Sequence, residues 1–111
     1  MPRPRARHVL FLLFLCGAVA VADEPELRIV IQGHRFVPPE IRVPTGKRLK
    51  LVVENQDATP EEFESYALNR EKIVAPAGRS IIYVGPLDPG RYEFFGDFNP
   101  DTARGWLGAV P

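Results

Sequence analysis

The chain has almost no sulfur chemistry available to it: one cysteine in 111 residues, Cys16, which sits inside the leading segment MPRPRARHVLFLLFLCGAVAVA. Once that segment is removed there is no disulfide, no thiolate nucleophile and no thiolate metal ligand. Histidine is nearly as scarce. Beyond residue 22 only His34 remains, so any general base or imidazole ligand has to be that one ring. No Ser-His-Asp set, HExxH pattern or glycine-rich phosphate loop is present, which argues against a hydrolase. Positive charge is short as well. Loss of Arg3, Arg5 and Arg7 with the leader turns 14 basic residues into 11 against 14 acidic ones, a net of −3. Nucleic acid is excluded as a partner on that count, because binding it needs a surplus of Lys and Arg on one face.

What is present begins with the leader itself. Three arginines precede an apolar run from Val9 to Leu15, and Ala20-Val21-Ala22 comes just before the acidic DEPE. That order, basic then greasy then small-x-small, is the pattern of a secretory signal peptide, and the apolar run is too short to span a bilayer comfortably. We expect residues 1–22 to be a signal peptide cleaved after Ala22, the protein to be periplasmic, and residues 23–111 to form one small domain with a single core.

Within that domain, short apolar runs (LRIVI, EIRV, RLKLVVEN, EFESYAL, KIVA, SIIYVG, RYEFF, WLGAV) are separated by turn-rich stretches such as VPTGK, APAGR and GPLDPGR. Ten of the twelve prolines lie beyond residue 22 and serve as this punctuation. In RLKLVVE, Leu49, Leu51 and Val53 fall on one face and Lys50 on the other. Period two with closely spaced turns predicts an all-β chain folded as an antiparallel sandwich. No run has the i, i+3, i+4, i+7 spacing of a long helix. One helical turn is expected at residues 99–102, with Asn99 as cap and Pro100 as the first helical residue.

Three pieces of sequence in order resemble the cupredoxins, small exported Greek-key β-sandwiches that hold copper at one end. FVPPEIRVPTGKRLKLVVEN matches the F-x-P-x-x-I-x-V-x-x-G opening and the strand ending in Asn; Asn55, Asp57, Phe63 and Ser65 match an N-x-D and F-x-S pair; PGRYEF matches the approach to the metal loop. The resemblance covers nearly all of the chain beyond the leader and implies the Greek-key β-sandwich of the cupredoxin type. It also implies four ligand positions, and all four are changed. The first His position is Glu61, the Cys position is Gly96, the second His falls near Asn99, and the Met position is Trp106. A blue-copper centre needs thiolate and imidazole, so electron transfer through one is excluded.

Acids take over this end of the chain. TPEEFESYALNREK carries Glu61, Glu62, Glu64 and Glu71, while Asp97 and Asp101 lie in the former copper loop. Glu62 and Glu64 alternate with Phe63 on a predicted strand and therefore share a face. Two acids facing one way repel unless a cation lies between them, either a metal or Lys72 or Arg70. Glu61 and Asp101 read as solvated turn or loop acids. A carboxylate cluster suits iron or another oxygen-loving cation, and His34, just before Phe36 at the loop end, would extend its reach to copper. His34 also fits an ordinary surface or hydrogen-bonded residue. Tyr66 and Tyr92 read as core or rim aromatics, and Phe94, Phe95, Phe98 and Trp106 as core and lid.

A narrower resemblance is carried by PEEFES, EKIVAPAG and PGRYEFFGDFNPDTARG. These resemble the Cys-free cupredoxin-like proteins that accompany a high-affinity iron permease in bacterial periplasmic iron uptake, and the cupredoxin domain of elemental ferrous-iron transport proteins. The resemblance implies Glu62, Glu64, Glu71 and Asp97 as metal ligands, a permease and other periplasmic iron-uptake components as partners, and oxidation of ferrous iron before transport as a role. This sequence departs from that pattern where Asn99 replaces a loop histidine, which weakens copper-assisted oxidation and leaves a carboxylate iron site. The expected function is iron binding, with copper as a second ion, in support of an inner-membrane permease. The rival expectation is a metal-free sandwich that docks onto a transporter or oxidase complex; a homodimer is left open.

Overall fold

The structure, a computed structural model, describes residues 24–111. The expected signal peptide and its cleavage point lie outside the described residues. Among the described residues there are nine strands: β1 (Glu26–Ile31), β2 (Phe36–Val37), β3 (Glu40–Pro44), β4 (Leu49–Asn55), β5 (Glu61–Ser65), β6 (Arg70–Val74), β7 (Arg79–Val84), β8 (Gly90–Gly96) and β9 (Arg104–Val110). They form two sheets, one ordered β2-β1-β4-β7 and the other β3-β9-β8-β5-β6. The β-sandwich read from the alternation is thus what the chain adopts. Most pairings are antiparallel, but β1 runs parallel to β4 and β3 parallel to β9.

The alternation dictates the core. Leu49, Leu51 and Val53 of β4 are completely buried, as their shared face requires, and Ile29, Ile31, Val84 and Leu107 meet them from other strands. Each such side chain contributes about 1.5–3 kcal/mol by leaving water. Three phenylalanines fill the middle: Phe63 and Phe94 are stacked with ring centroids 5.0 Å apart, and Phe36 meets Phe94 edge-on at 5.0 Å. Pro38 and Pro39 take the chain from one sheet to the other, between β2 and β3. Neither can donate to a ladder, so β2 stops after two residues. Pro39 still accepts, through its carbonyl, a bond from Trp106 N at 2.8 Å.

One end of the sandwich collects the segments that frame the candidate site: 32–35, 56–60 and 97–103. The expected helical turn is there in minimal form. The Asn99 carbonyl accepts bonds from Thr102 N at 3.3 Å and Ala103 N at 2.9 Å, and the chain then enters β9. No helix forms among the described residues.

Candidate metal centre

β5 organises this end because its five residues alternate strictly between interior and surface. Glu61, Phe63 and Ser65 point inward and are buried, whereas Glu62 and Glu64 point outward and are half-buried. β8 lies beside β5, with Phe95 opposite Glu64, and runs on through Gly96 to Asp97. The Asp97 N–H bonds the Glu62 carbonyl at 2.9 Å, which continues the pairing one step past the strand. Glu62, Glu64 and Asp97 each bring a carboxylate oxygen to within 4.8 Å of the others.

Glu71 and His34 do not join this trio. Glu71 is the cross-strand partner of Glu64 on β6, so its charge acts on the group from the side. His34 stands elsewhere: its Nδ1 is 3.5 Å from Asp57 Oδ2, and its N–H and that of Gly33 bond the same carboxylate at 2.9 and 2.8 Å. These bonds hold His34 at φ 57°, a left-handed conformation uncommon for a side-chain-bearing residue. The copper-extending role expected of His34 therefore has no geometric support. Its carbonyl does accept the Thr102 hydroxyl at 2.6 Å, so the residue ties its own loop to residues 97–103.

The electrostatics follow from the geometry. Partial burial pushes the Glu62 carboxyl above its ordinary value, and the neighbouring charges of Glu71, Glu64 and Asp97 push it further. Glu64 is raised by burial first, then by Asp97 and Glu71. Asp57 moves down: the bond from His34 N–H outweighs the effect of burial, and Gly33 N–H and the His34 ring add to it. Among the described residues no Lys or Arg lies within ion-pair distance of Glu62, Glu64 or Asp97. Arg70, an expected counter-ion, instead bonds the carbonyls of Tyr83, Leu68 and Asn69. Lys72, the other, has the parity of the opposite face, beside Phe63.

Glu61 corrects the sequence reading most sharply. It is no solvated turn acid but is 1% exposed. Its Oε1 accepts Phe98 N at 2.9 Å and Glu62 N at 3.0 Å, and its Oε2 accepts Asn99 Nδ2 at 2.8 Å. A Cβ on Gly96 would meet Glu61 Cδ at 2.5 Å and Ala103 Cβ at 2.7 Å, so the bare glycine is what gives this carboxylate room. The residues at three of the four changed ligand positions thus pack on one another, with the carboxylate in the middle. The fourth, Trp106, faces outward, its ring 3.5 Å beneath the Arg91 guanidinium. Among the described residues no sulfur or imidazole enters the interior, and both oxygens of Glu61 are already bonded to the protein. A blue-copper centre does not fit these residues.

The aromatic expectations divide. Phe94 is core, while Phe98 is 48% exposed and Tyr66, at 80%, lies on the surface against Phe95. Sequence reasoning missed Asp57 and Glu61 as organisers of this end. The parity of Glu61 with Phe63 was the available signal, since i and i+2 on a strand share a face.

A family model described as Cupredoxin-like domain matches residues 6–108. An uncharacterised protein of Rickettsia prowazekii (strain Madrid E) is 49% identical over 82 residues, covering 74% of this chain and 66% of that relative, just under two thirds of its length. Among solved structures, reduced auracyanin from Roseiflexus castenholzii aligns with a TM-score of 0.66 at 16% identity, over 82% of this chain and 100% of that one. The metal-binding domain of the Cu(I)-exporting P-type ATPase of Streptococcus pneumoniae, solved with Cu(I), aligns with a TM-score of 0.66 at 16% identity, over 78% and 85%. An oxidised amicyanin mutant gives 0.63 at 16%, over 76% and 81%. At these identities the structural likeness speaks for the fold alone. The family match takes in β1 to β8 and most of β9, and the chain belongs to the cupredoxin-like domain family.

Proposed function

We propose that this chain is an exported, periplasmic metal-binding protein that holds iron, with copper as a second ion, on carboxylate oxygens of Glu62, Glu64 and Asp97, Glu71 reinforcing the negative field. It would assist oxidation or delivery of iron to an inner-membrane permease. The observation that carries this reading is the convergence of three like-charged side chains within 4.8 Å with no Lys or Arg paired to them among the described residues. Like charges held together favour a cation between them. Oxygen donors favour hard ions, and anionic oxygens stabilise Fe(III) more than Fe(II), which lowers the reduction potential of the bound ion. Such a surface makes electron loss from ferrous iron easier; the electron would pass to a partner, since the chain has no redox sulfur beyond residue 22.

The test is a titration of the protein with ferrous iron under anoxic conditions and, separately, with Cu(II). The parent is expected to bind, and the Glu62→Gln, Glu64→Gln double variant to lose binding while keeping its fold. Equal binding by parent and variant sinks the assignment. A second reading is favoured by a different observation: Tyr66, Phe95 and Trp106 lie with Arg91 and Arg104 on the same outer sheet face, the residue types concentrated at binding hot spots. On that reading the protein is a metal-free docking module for a transporter or oxidase complex, and the titration shows no tight binding of either metal.

A further inference from the structure

Glu61 is a buried acid that plays no part in the carboxylate trio, and its burial calls for a reason. A carboxylate taken out of water is tolerated when its oxygens are well bonded, and these are, by three N–H donors. The donors are not scattered. One is the N–H of Glu62, and the other two come from Phe98 and Asn99, the residues that follow Asp97. A single interior group therefore grips both the strand that carries Glu62 and Glu64 and the loop that carries Asp97.

An opposing force makes that grip consequential. Glu62, Glu64 and Asp97 repel one another. Glu62 and Glu64 are fixed by the strand ladder, whereas Asp97 lies just past the end of β8 and is held to β5 by one backbone bond to the Glu62 carbonyl. Left to repulsion, Asp97 is the member free to leave. The bonds from Phe98 N and Asn99 Nδ2 to Glu61 prevent this by fastening the next two residues to the interior. We propose that Glu61 is the positioning residue of the acidic site: from inside the sandwich it sets how near Asp97 stays to Glu62 and Glu64. The proposal rests on the metal-binding reading above only for its consequence for affinity; the lock itself is a property of the metal-free chain.

The test uses the near-isosteric Glu61→Met, which removes both acceptor oxygens and leaves the N–H groups of Glu62 and Phe98 and the Asn99 side-chain amide without their partner. Its companion is Glu61→Gln with Asn99→Asp, in which the amide of residue 61 donates to the new carboxylate and all three bonds are restored, the one to residue 99 in reverse polarity. Two readouts are taken on parent, single and double variants: hydrogen-exchange rates of the Asp97 and Phe98 amides, and affinity for ferrous iron under anoxia. The single variant is expected to speed exchange at both amides and to weaken binding by about 10- to 100-fold, the range for groups that orient metal ligands without touching the metal. The double variant is expected to recover both. Unchanged exchange and affinity in the single variant overturns the proposal, as does a folded double variant that fails to recover. If the parent takes up no iron, the metal-binding reading falls by itself. The exchange rates then decide on Glu61: faster in the single variant and restored in the double supports the lock, and unchanged rates overturn it.

Discussion

At the residue scale, the interior of the site end is a pairing of one long side chain with one missing side chain. Glu61 reaches into the space that Gly96 leaves, and a methyl group there would lie 2.5 Å from the Glu61 Cδ. Ala103, whose Cβ would lie 2.7 Å from the new methyl and whose carbonyl accepts Gly96 N–H at 2.9 Å, prevents a simple retreat. Gly96→Ala is therefore expected to cost about 1–3 kcal/mol, the range for forcing extra volume into a packed site, measured as a lowered urea midpoint. Asn55 offers a second case. Its buried amide donates to the carbonyls of Thr59 and Val74 and its oxygen accepts Asp57 N, so three backbone groups depend on one side chain. Asn55→Ala strands them and is expected to cost about 1–3 kcal/mol by the same measurement. At this scale the sequence was only partly legible. Asn55 and Asp57 are legible only as a family motif, and Glu61 reads as a turn acid although it opens β5 and is buried. The bonds that matter to it come from residues 37 and 38 positions away. Nothing local announces them.

At the element scale, β5 and β6 set acid against acid. Glu64 and Glu71 are direct cross-strand partners, an arrangement that destabilises a sheet. Glu71→Lys replaces that repulsion with attraction and is expected to stabilise the fold by about 0.2–1 kcal/mol while weakening iron binding, since a fixed cation then stands beside Glu64. Thermal unfolding and titration of the one variant check both halves. The raised carboxyl values of Glu62 and Glu64 fix the direction of the pH dependence. Their folded values lie above the unfolded value of 4.5, so the native state takes up protons first; stability rises as pH falls through the folded values, and that gain is complete below 4.5. Asp57 acts oppositely. Its folded value is depressed, so the stability from its bonds to Gly33 and His34 is present above 3.8 and lost as pH falls through the folded value. Urea midpoints measured down a pH series should rise on mild acidification and then fall, and the Glu62→Gln, Glu64→Gln variant should lack the rise. The element pattern itself was readable, because period two in EEFES and RLKLVVE is a local property. The outward convergence of Asp97 with Glu62 was legible only through the family resemblance, since it depends on which strands become neighbours.

At the scale of the whole molecule, the two-sheet sandwich follows from alternation and turn chemistry, and the family follows from motifs spread along the chain. What could not be read was which distant N–H groups meet each acid. A charge buried against three N–H groups and a charge on an open sheet face have the same letter in the sequence. If a cation binds only the folded chain, saturating metal should raise the melting temperature, by the equivalent of about 2.7 kcal/mol at a free concentration 100 times the dissociation constant. A melting temperature indifferent to ferrous iron and Cu(II) favours the docking module.

The close fit of Glu61 against Gly96 also constrains what sequence change can do to this end of the protein. A thiol cannot be introduced at position 96 by one substitution, because its first carbon already collides with the glutamate. Shortening the glutamate beforehand leaves the amides of Glu62 and Phe98 and the Asn99 side chain without acceptors. Both single steps lead downhill in stability, and the joint change still has to supply new acceptors for those three donors, so any mutational route to a thiol at position 96 has to cross a valley.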